Sequence, residues 1–339
     1  MKTIRAAARK SMKGHCRVCP VCNGVACSGE VPGMGGLGSG TSFRANIEAL
    51  AAYRLEMRLL HEVTTPKTAV SLLGLTLDLP VLAAPIGGVS FNMGGALSED
   101  DYIRSKLEGC RARGIIGCTG DGVPAFIHEA AFAAIRALDG QGIPFIKPWE
   151  DAELFIKLEA AVATGAPAVG MDIDAAGLVT LRQMGRPVSP KSPLQMKAII
   201  ERVPVPFILK GIMTADQARL AVDVGARAIV VSNHGGRVLD HAPGAAEVLP
   251  EIAAAVRGQI AILADGGIRS GIDILKMLAL GADAVLIGRP FSIATMGGLV
   301  EGVTTYIDQL KSELQSAMVL TGCPDAGAVR PEILRPPAA

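Results

Sequence analysis

The hexapeptide Ser232-Asn233-His234-Gly235-Gly236-Arg237 sets an imidazole that titrates near neutral pH three residues from a guanidinium whose fork matches a carboxylate. A base beside an anion clamp is the pairing that proton abstraction from a small acid requires. The two glycines between them let the backbone approach a ligand. On its own His234 could equally well cap a loop, so its meaning depends on what surrounds it. The residues before it, Ala228-Ile229-Val230-Val231, read as a buried parallel strand, which places the hexapeptide at a strand's carboxyl end, where α/β enzymes keep their chemistry.

Lys210 closes a second apolar run, Val205 to Leu209, and its ammonium therefore points into the same mouth. A cation there needs an anion or an electron-rich ring. It reads as a Schiff-base lysine, as a stabiliser of a reduced cofactor, or as an ion-pair partner of Asp172 or Asp174. Those two acids flank Ile173, and the period of two in a strand lets only one face the barrel centre. The inward one is the candidate to orient His234 and to stabilise its protonated form.

The elements that must hold these groups recur with a beat. From Pro80 onward an apolar strand, a polar or glycine loop and an amphipathic helix repeat eight times, the rhythm of a (β/α)8 TIM barrel. Strands are expected near Val81 to Ala84, Gly114 to Gly117, Pro144 to Ile146, Ala168 to Met171, Pro206 to Leu209, Ala228 to Val231, Ala261 to Leu263 and Ala284 to Ile287. Charges and glycines follow the strands, whereas the helix-to-strand turns such as Val224-Gly225-Ala226 are bland. Eight units favour closure over an open doubly wound sheet, the alternative α/β architecture. The last two loops, Asp265-Gly266-Gly267-Ile268-Arg269 and Gly288-Arg289, suit a phosphate, because glycines ahead of a helix expose backbone N–H groups and arginines add charge-assisted bonds.

Ahead of the barrel, Cys16, Cys19, Cys22 and Cys27 place four of the chain's seven cysteines within twelve residues. That density suits an iron–sulfur cluster or zinc, free redox-active thiols, or a disulfide staple. His15 beside them is a further ligand or a solvent-facing side chain. A glycine-rich loop follows, then a packing helix over Asn46 through His61, with Thr41 or Ser42 as its cap. The expected organisation is a basic, Cys- and Gly-rich segment over residues 1–42, the barrel and its preceding helix over 43–322, and a tail over 323–339. Met1 to Lys13 and Arg330 to Ala339 read as mobile ends, with an organelle transit peptide as the alternative for the first.

Composition sets the outer limits. With 339 residues, 50% hydrophobic content and 40 glycines, the chain can bury one large α/β core. A net charge of +1 offers no field for nucleic acid or an anionic membrane. No apolar run reaches the roughly 18 residues that span a bilayer, so a cytoplasmic protein acting on small molecules is expected.

Leu209-Lys210-Gly211-Ile212, Val231 through Asp240, Ala264 through Gly271 and Leu286 through Pro290 resemble the flavin-binding half of the FMN-dependent 2-hydroxy-acid oxidases and dehydrogenases, the glycolate and lactate oxidase family. Leu79 through Pro85 resembles the first barrel strand of that family. The resemblance implies oxidation of a small L-2-hydroxy acid to the 2-oxo acid, with FMN as cofactor, oxygen or another acceptor reoxidising it, and a homo-oligomer, a tetramer. It implies that His234 takes the hydroxyl proton while hydride passes to the flavin, that Arg237 holds the carboxylate, that Lys210 stabilises the reduced ring and that Asp174 backs His234. Asp265, Gly267, Arg269, Gly288 and Arg289 would hold the phosphate end, while Ser232 and Ala84, Pro85 and Ile86 would line the ring and ribityl chain. The substrate half departs from the family. Neither substrate tyrosine is present, Lys147-Pro148-Trp149 standing where the second is expected, and the second arginine has no counterpart. Two other readings are an FMN isomerase of the type 2 isopentenyl diphosphate isomerase kind and a redox sensor centred on the cysteines.

Overall fold

The structure is a computed structural model that describes residues 1–335. Eight parallel strands, β1 (Val81–Ile86), β2 (Ile116–Thr119), β3 (Ile143–Ile146), β4 (Val169–Asp172), β5 (Phe207–Ile212), β6 (Ala228–Val231), β7 (Ala261–Ala264) and β8 (Ala284–Ile287), form a closed barrel in sequence order. Closure is made where Val285 of β8 pairs with Val81 of β1. The strands are apolar on both faces because one packs into the barrel and the other under the helices; Val81, Leu82, Val230 and Val285 are fully buried. Two register shifts, between Ala83 and Ile86 on β1 and between Lys210 and Ile212 on β5, fall at carboxyl ends, where such irregularities re-aim side chains.

The eight expected strands are found, each within a few residues of its predicted position. The ends of the chain differ from expectation. Helix α1 (Lys2–Ser11) is docked: Ala8 and Met12 are fully buried, and a Cβ on Gly297 would lie 2.1 Å from the Ile4 carbonyl. Its amphipathic face finds a partner in the long helix after β8, a contact that charge alone did not reveal. Helix α2 covers Thr41–Ala52, shorter than the stretch to His61 that its periodicity suggested. Beyond Tyr53 the chain extends, and Arg54–Leu55 pairs antiparallel with Leu334–Arg335. That pairing anchors the tail, with Ile333 buried, so Arg330 to Arg335 is part of the fold; residues 336–339 of the expected mobile end lie outside the described residues. Neither Thr41 nor Ser42 caps α2. Gly40 occupies that position in the left-handed region, and the Ser42 hydroxyl donates to the Leu239 carbonyl at 2.8 Å.

Helix α3 (Glu99–Arg111) follows β1, and α4 (Arg289–Thr321) follows β8, broken at Leu299 where φ is 50°. No helix among the described residues is long and apolar enough to cross a membrane.

Candidate active site

The carboxyl ends of the strands surround one cavity whose empty space, mouth included, is about 1260 Å³. Ala84, Pro85 and Ile86 of β1, Lys147 after β3, Asp172, Lys210, His234, Arg237, Asp265, Gly267, Arg269, Gly288 and Arg289 all line it. Asp174 and Ser232 stand behind that lining. The Ser232 hydroxyl accepts the backbone N–H of His234 at 3.0 Å and thus shapes the loop.

His234 adopts a φ of 58°, a conformation that non-glycine residues enter rarely and that clusters at functional sites. Its Nδ1 lies 2.9 Å from Asp174 Oδ1. A carboxylate at that distance assigns the proton to Nδ1 and leaves the Nε2 lone pair free as a base. Lys210 Nζ is 3.4 Å from the same Nδ1 and 3.2 Å from Asp172 Oδ1. Both acids therefore serve the site, against the expectation that only one could face inward. Strand geometry ends at Asp172; Ile173–Gly177 is a 3-10 helix, so the alternation no longer holds and Asp174 swings back over β5. Gly211 makes the space, since a Cβ there would meet Asp174 Cβ at 2.8 Å.

Electrostatics follow from burial. Asp172 is deeply buried, which raises its pKa, but Lys210, His234 and Lys147 together outweigh that and hold it below the ordinary carboxylate value. Burial likewise disfavours the Lys210 ammonium, and Asp172, Asp174 and Asp265 reverse the effect and raise its pKa. Asp265 goes the other way, raised by burial that Lys210 and Ser232 only partly oppose.

Arg237 is half-buried and bonded to neutral groups: the carbonyls of Gly33 and Gly35 and, at 2.9 Å, Asn92 Oδ1. Burial, then nearby Arg289, pushes its pKa down. The guanidinium remains charged, so this is a cation held ready for an anion. Arg289 stacks 3.8 Å over the Phe43 ring and donates to the carbonyls of Met34, Gly35 and Gly235. Arg269 donates to the Ile268 carbonyl at 2.9 Å, and its buried Nε has no partner. A buried orphan donor at the mouth of β7 fits a phosphate oxygen. The glycines of that loop have a second purpose that the sequence reading missed. A Cβ on Gly266 would meet Asn46 Oδ1 at 2.4 Å, and one on Gly267 the Asn46 carbonyl at 2.4 Å. They allow α2 to lie directly on the loop.

The departures noted after β3 resolve into two different roles. Lys147 faces the cavity with its Nζ 3.9 Å from Asp172. Trp149 instead turns into the core, where its Nε1 donates to Asp121 at 2.5 Å and Lys157 sits 4.2 Å over the indole. Asp121 also accepts from Lys157 at 2.9 Å and from the Lys147 N–H at 3.1 Å. Sequence reasoning marked Asp121 only as a loop residue and did not single out Asn92 or Lys157; nothing in their spacing announced these contacts.

Comparison with known proteins agrees with this geometry. The FMN-dependent dehydrogenase family matches residues 33–182 and 180–336. The chain belongs to that family, the FMN-dependent 2-hydroxy-acid oxidases and dehydrogenases. An L-lactate oxidase of Lactobacillus jensenii is 30% identical over 310 residues, 83% of this chain and 75% of that protein. 2-Hydroxyacid oxidase 2 of Mus musculus is 29% identical over 87% of this chain and 90% of its own length. A crystal structure of mandelate oxidase with (S)-2-phenylpropionate superimposes with a TM-score of 0.79 at 30% identity, covering 98% of this chain and 96% of that one. The protein is an FMN-dependent oxidoreductase of 2-hydroxy acids, and these relatives favour that reading over the isomerase and the sensor.

Proposed function

We propose that the protein oxidises a small L-2-hydroxy acid with an aliphatic side chain, and that His234, Arg237, Lys210 and Asp174 carry the reaction. The observation that carries the reading is a half-buried guanidinium without a carboxylate partner, Arg237, opening on the same cavity as a carboxylate-oriented imidazole. The substrate carboxylate completes Arg237, and Lys147 supplies a second positive group where the family's tyrosine is missing. The substrate hydroxyl lies at His234 Nε2, which takes its proton; Asp174 then holds the imidazolium. FMN, when bound, supplies the hydride acceptor. Lys210, locked in charge by Asp172, would face the flavin ring and favour negative charge there, and the orphan Arg269 Nε with the loop amides at Gly267 and Gly288 would hold the phosphate. The apolar wall of Phe91, Ile127, Leu178, Leu181 and Met184 takes the side chain of the acid.

The test is anaerobic mixing of the flavin-loaded protein with glycolate, L-lactate and longer 2-hydroxy acids while the flavin absorbance is followed. Bleaching by L-lactate or a longer acid, faster than by glycolate, is expected. A yellow protein unchanged by every acid would overturn the reading.

A further inference from the structure

Hydroxy-acid oxidation makes no use of the N-terminal cysteines, yet the fold gathers all four. Cys16, Cys19, Cys22 and Cys27 are free thiols that line one small cavity, with His15, Arg17, Val18, Met34, Arg289 and Ile293 among its other wall residues. The loop that carries them is tied from outside. Arg9 Nη2 donates to the Val18 carbonyl at 2.8 Å, Arg5 to the Cys19 carbonyl, and Arg17 grips both oxygens of Glu30. Val18, between the first two cysteines, is 1% exposed with a φ of 46°, a turn that a β-branched residue seldom makes and that folds the loop back on itself. Two donors already point at sulfur: the Val18 N–H at 3.4 Å from Cys16 Sγ and Arg269 Nη2 at 3.5 Å from Cys22 Sγ.

The spacing of the sulfurs argues against a preformed zinc site. The set of three metal-capable ligand atoms lying within 4.8 Å of one another among the described residues is Asp172, Asp174 and His234; no three of the cysteine sulfurs form another. A tetrahedral zinc with bonds of about 2.3 Å holds its thiolates about 3.8 Å apart. An iron–sulfur cluster takes its thiolates on separate irons and so spreads them wider. Charge is compatible: four thiolates around a 2+ core leave two net negative charges, and Arg17, Arg269 and Arg289 stand beside them.

We propose that Cys16, Cys19, Cys22 and Cys27 ligate a [4Fe–4S] cluster, separated from the flavin cavity by Met34 and Arg289, which line both cavities. The cluster gives the two electrons of each oxidised hydroxy acid a route out, an inference that rests on the hydroxy-acid reading for their source. Each electron takes the core from 2+ to 1+ and then passes to a one-electron acceptor protein of higher potential, of the cytochrome class, two such transfers per substrate. Val21 and Val25, 71% and 60% exposed, mark the side of the loop open to that acceptor.

The experiment uses full-length protein carrying FMN, purified without oxygen and reconstituted with iron and sulfide. About four irons and four acid-labile sulfides per chain and an electron paramagnetic resonance signal after dithionite reduction are expected. Cys19→Ser and, should that variant not fold, Cys27→Ser lose iron, sulfide and signal but keep FMN and its bleaching by hydroxy acid, while reduction of an added cytochrome falls to background. Stoichiometric zinc without sulfide, or FMN-loaded protein with iron well below one per chain, overturns the proposal. A protein with iron, sulfide and signal intact whose flavin no hydroxy acid bleaches keeps the cluster and overturns the hydroxy-acid reading instead.

Discussion

At the scale of single residues the site is a set of charges arranged so that two of them lack something. His234 has its Nδ1 settled by Asp174 and its Nε2 free, and Arg237 is held by neutral acceptors alone. With His234 as the proposed base, replacing it by Gln removes that base but not the cavity, so flavin should still bind while its anaerobic reduction by substrate slows by roughly 10²- to 10⁴-fold. Asp174→Asn should act through His234: the tautomer is no longer fixed and the imidazolium loses its counter-charge, lowering the same rate by about 10²-fold or more. Arg237→Lys keeps a charge but loses the fork. A charge-assisted pair is worth about 1.5–3 kcal/mol, so kcat/KM should fall roughly 10- to 100-fold. Steady-state kinetics against substrate concentration checks it, and an unchanged KM with normal kcat would remove Arg237 from the substrate site.

Elements decide whether those residues meet, and here the sequence was legible in some parts and opaque in others. The barrel could be read because a buried parallel strand has a simple signature, β-branched and apolar with a polar stop, and Ala228 to Val231 before Ser232 shows it plainly. Asp174 was assigned its partner through family resemblance, while strand alternation gave the wrong reason to choose between it and Asp172, because a 3-10 turn is invisible to a period of two. The glycines of the β7 loop suit a phosphate on sequence grounds, and the fold adds an obligation that no spacing announces, the close approach of α2. Gly267→Ala should therefore push α2 off the loop: φ is +83° and the new Cβ would lie 2.4 Å from the Asn46 carbonyl. A loss of about 1–3 kcal/mol, seen as a lower Tm with reduced flavin retention, is expected. Lys106 on α3 gives a prediction of opposite sign. It is fully buried, 3.4 Å from the Ile86 carbonyl, and burial lowers its pKa to about 8 despite Cys110, Cys118 and Glu99. Below pH 8 the fold carries a buried charge that the unfolded chain solvates, so stability from this group rises as pH climbs from 8 towards the free-lysine value of about 10.4. Lys106→Met should stabilise the protein at pH 7 by about 2–3 kcal/mol, a gain that denaturant melts should find shrinking above pH 8.

Across the whole molecule, both ends of the chain are tied into the fold, and the amino end ties down the cysteine loop. Helix α1 lies on α4 through backbone-to-backbone contact at Gly297, and from that seat Arg5 and Arg9 reach the carbonyls of Cys19, Arg17 and Val18. The same α4 begins at Arg289, which holds Met34 and Gly35 beside the flavin cavity. One helix thus links Arg289 at the cavity, the glycine loop and the cysteine cavity, while the eight strands beneath are held by their own closed ladder. Gly297→Val separates these layers. A side chain there would strike the Ile4 carbonyl, so α1 must lift and the loop over residues 16–27 loses its outer ties. Amide hydrogen exchange should show residues 2–27 losing protection while the eight strands keep theirs, with Tm lower by a few degrees for a chain of this size. Equal loss of protection in the strands would mean that α1 and the barrel unfold as one unit, and that the cysteine loop owes its shape to the barrel rather than to the helix laid across it.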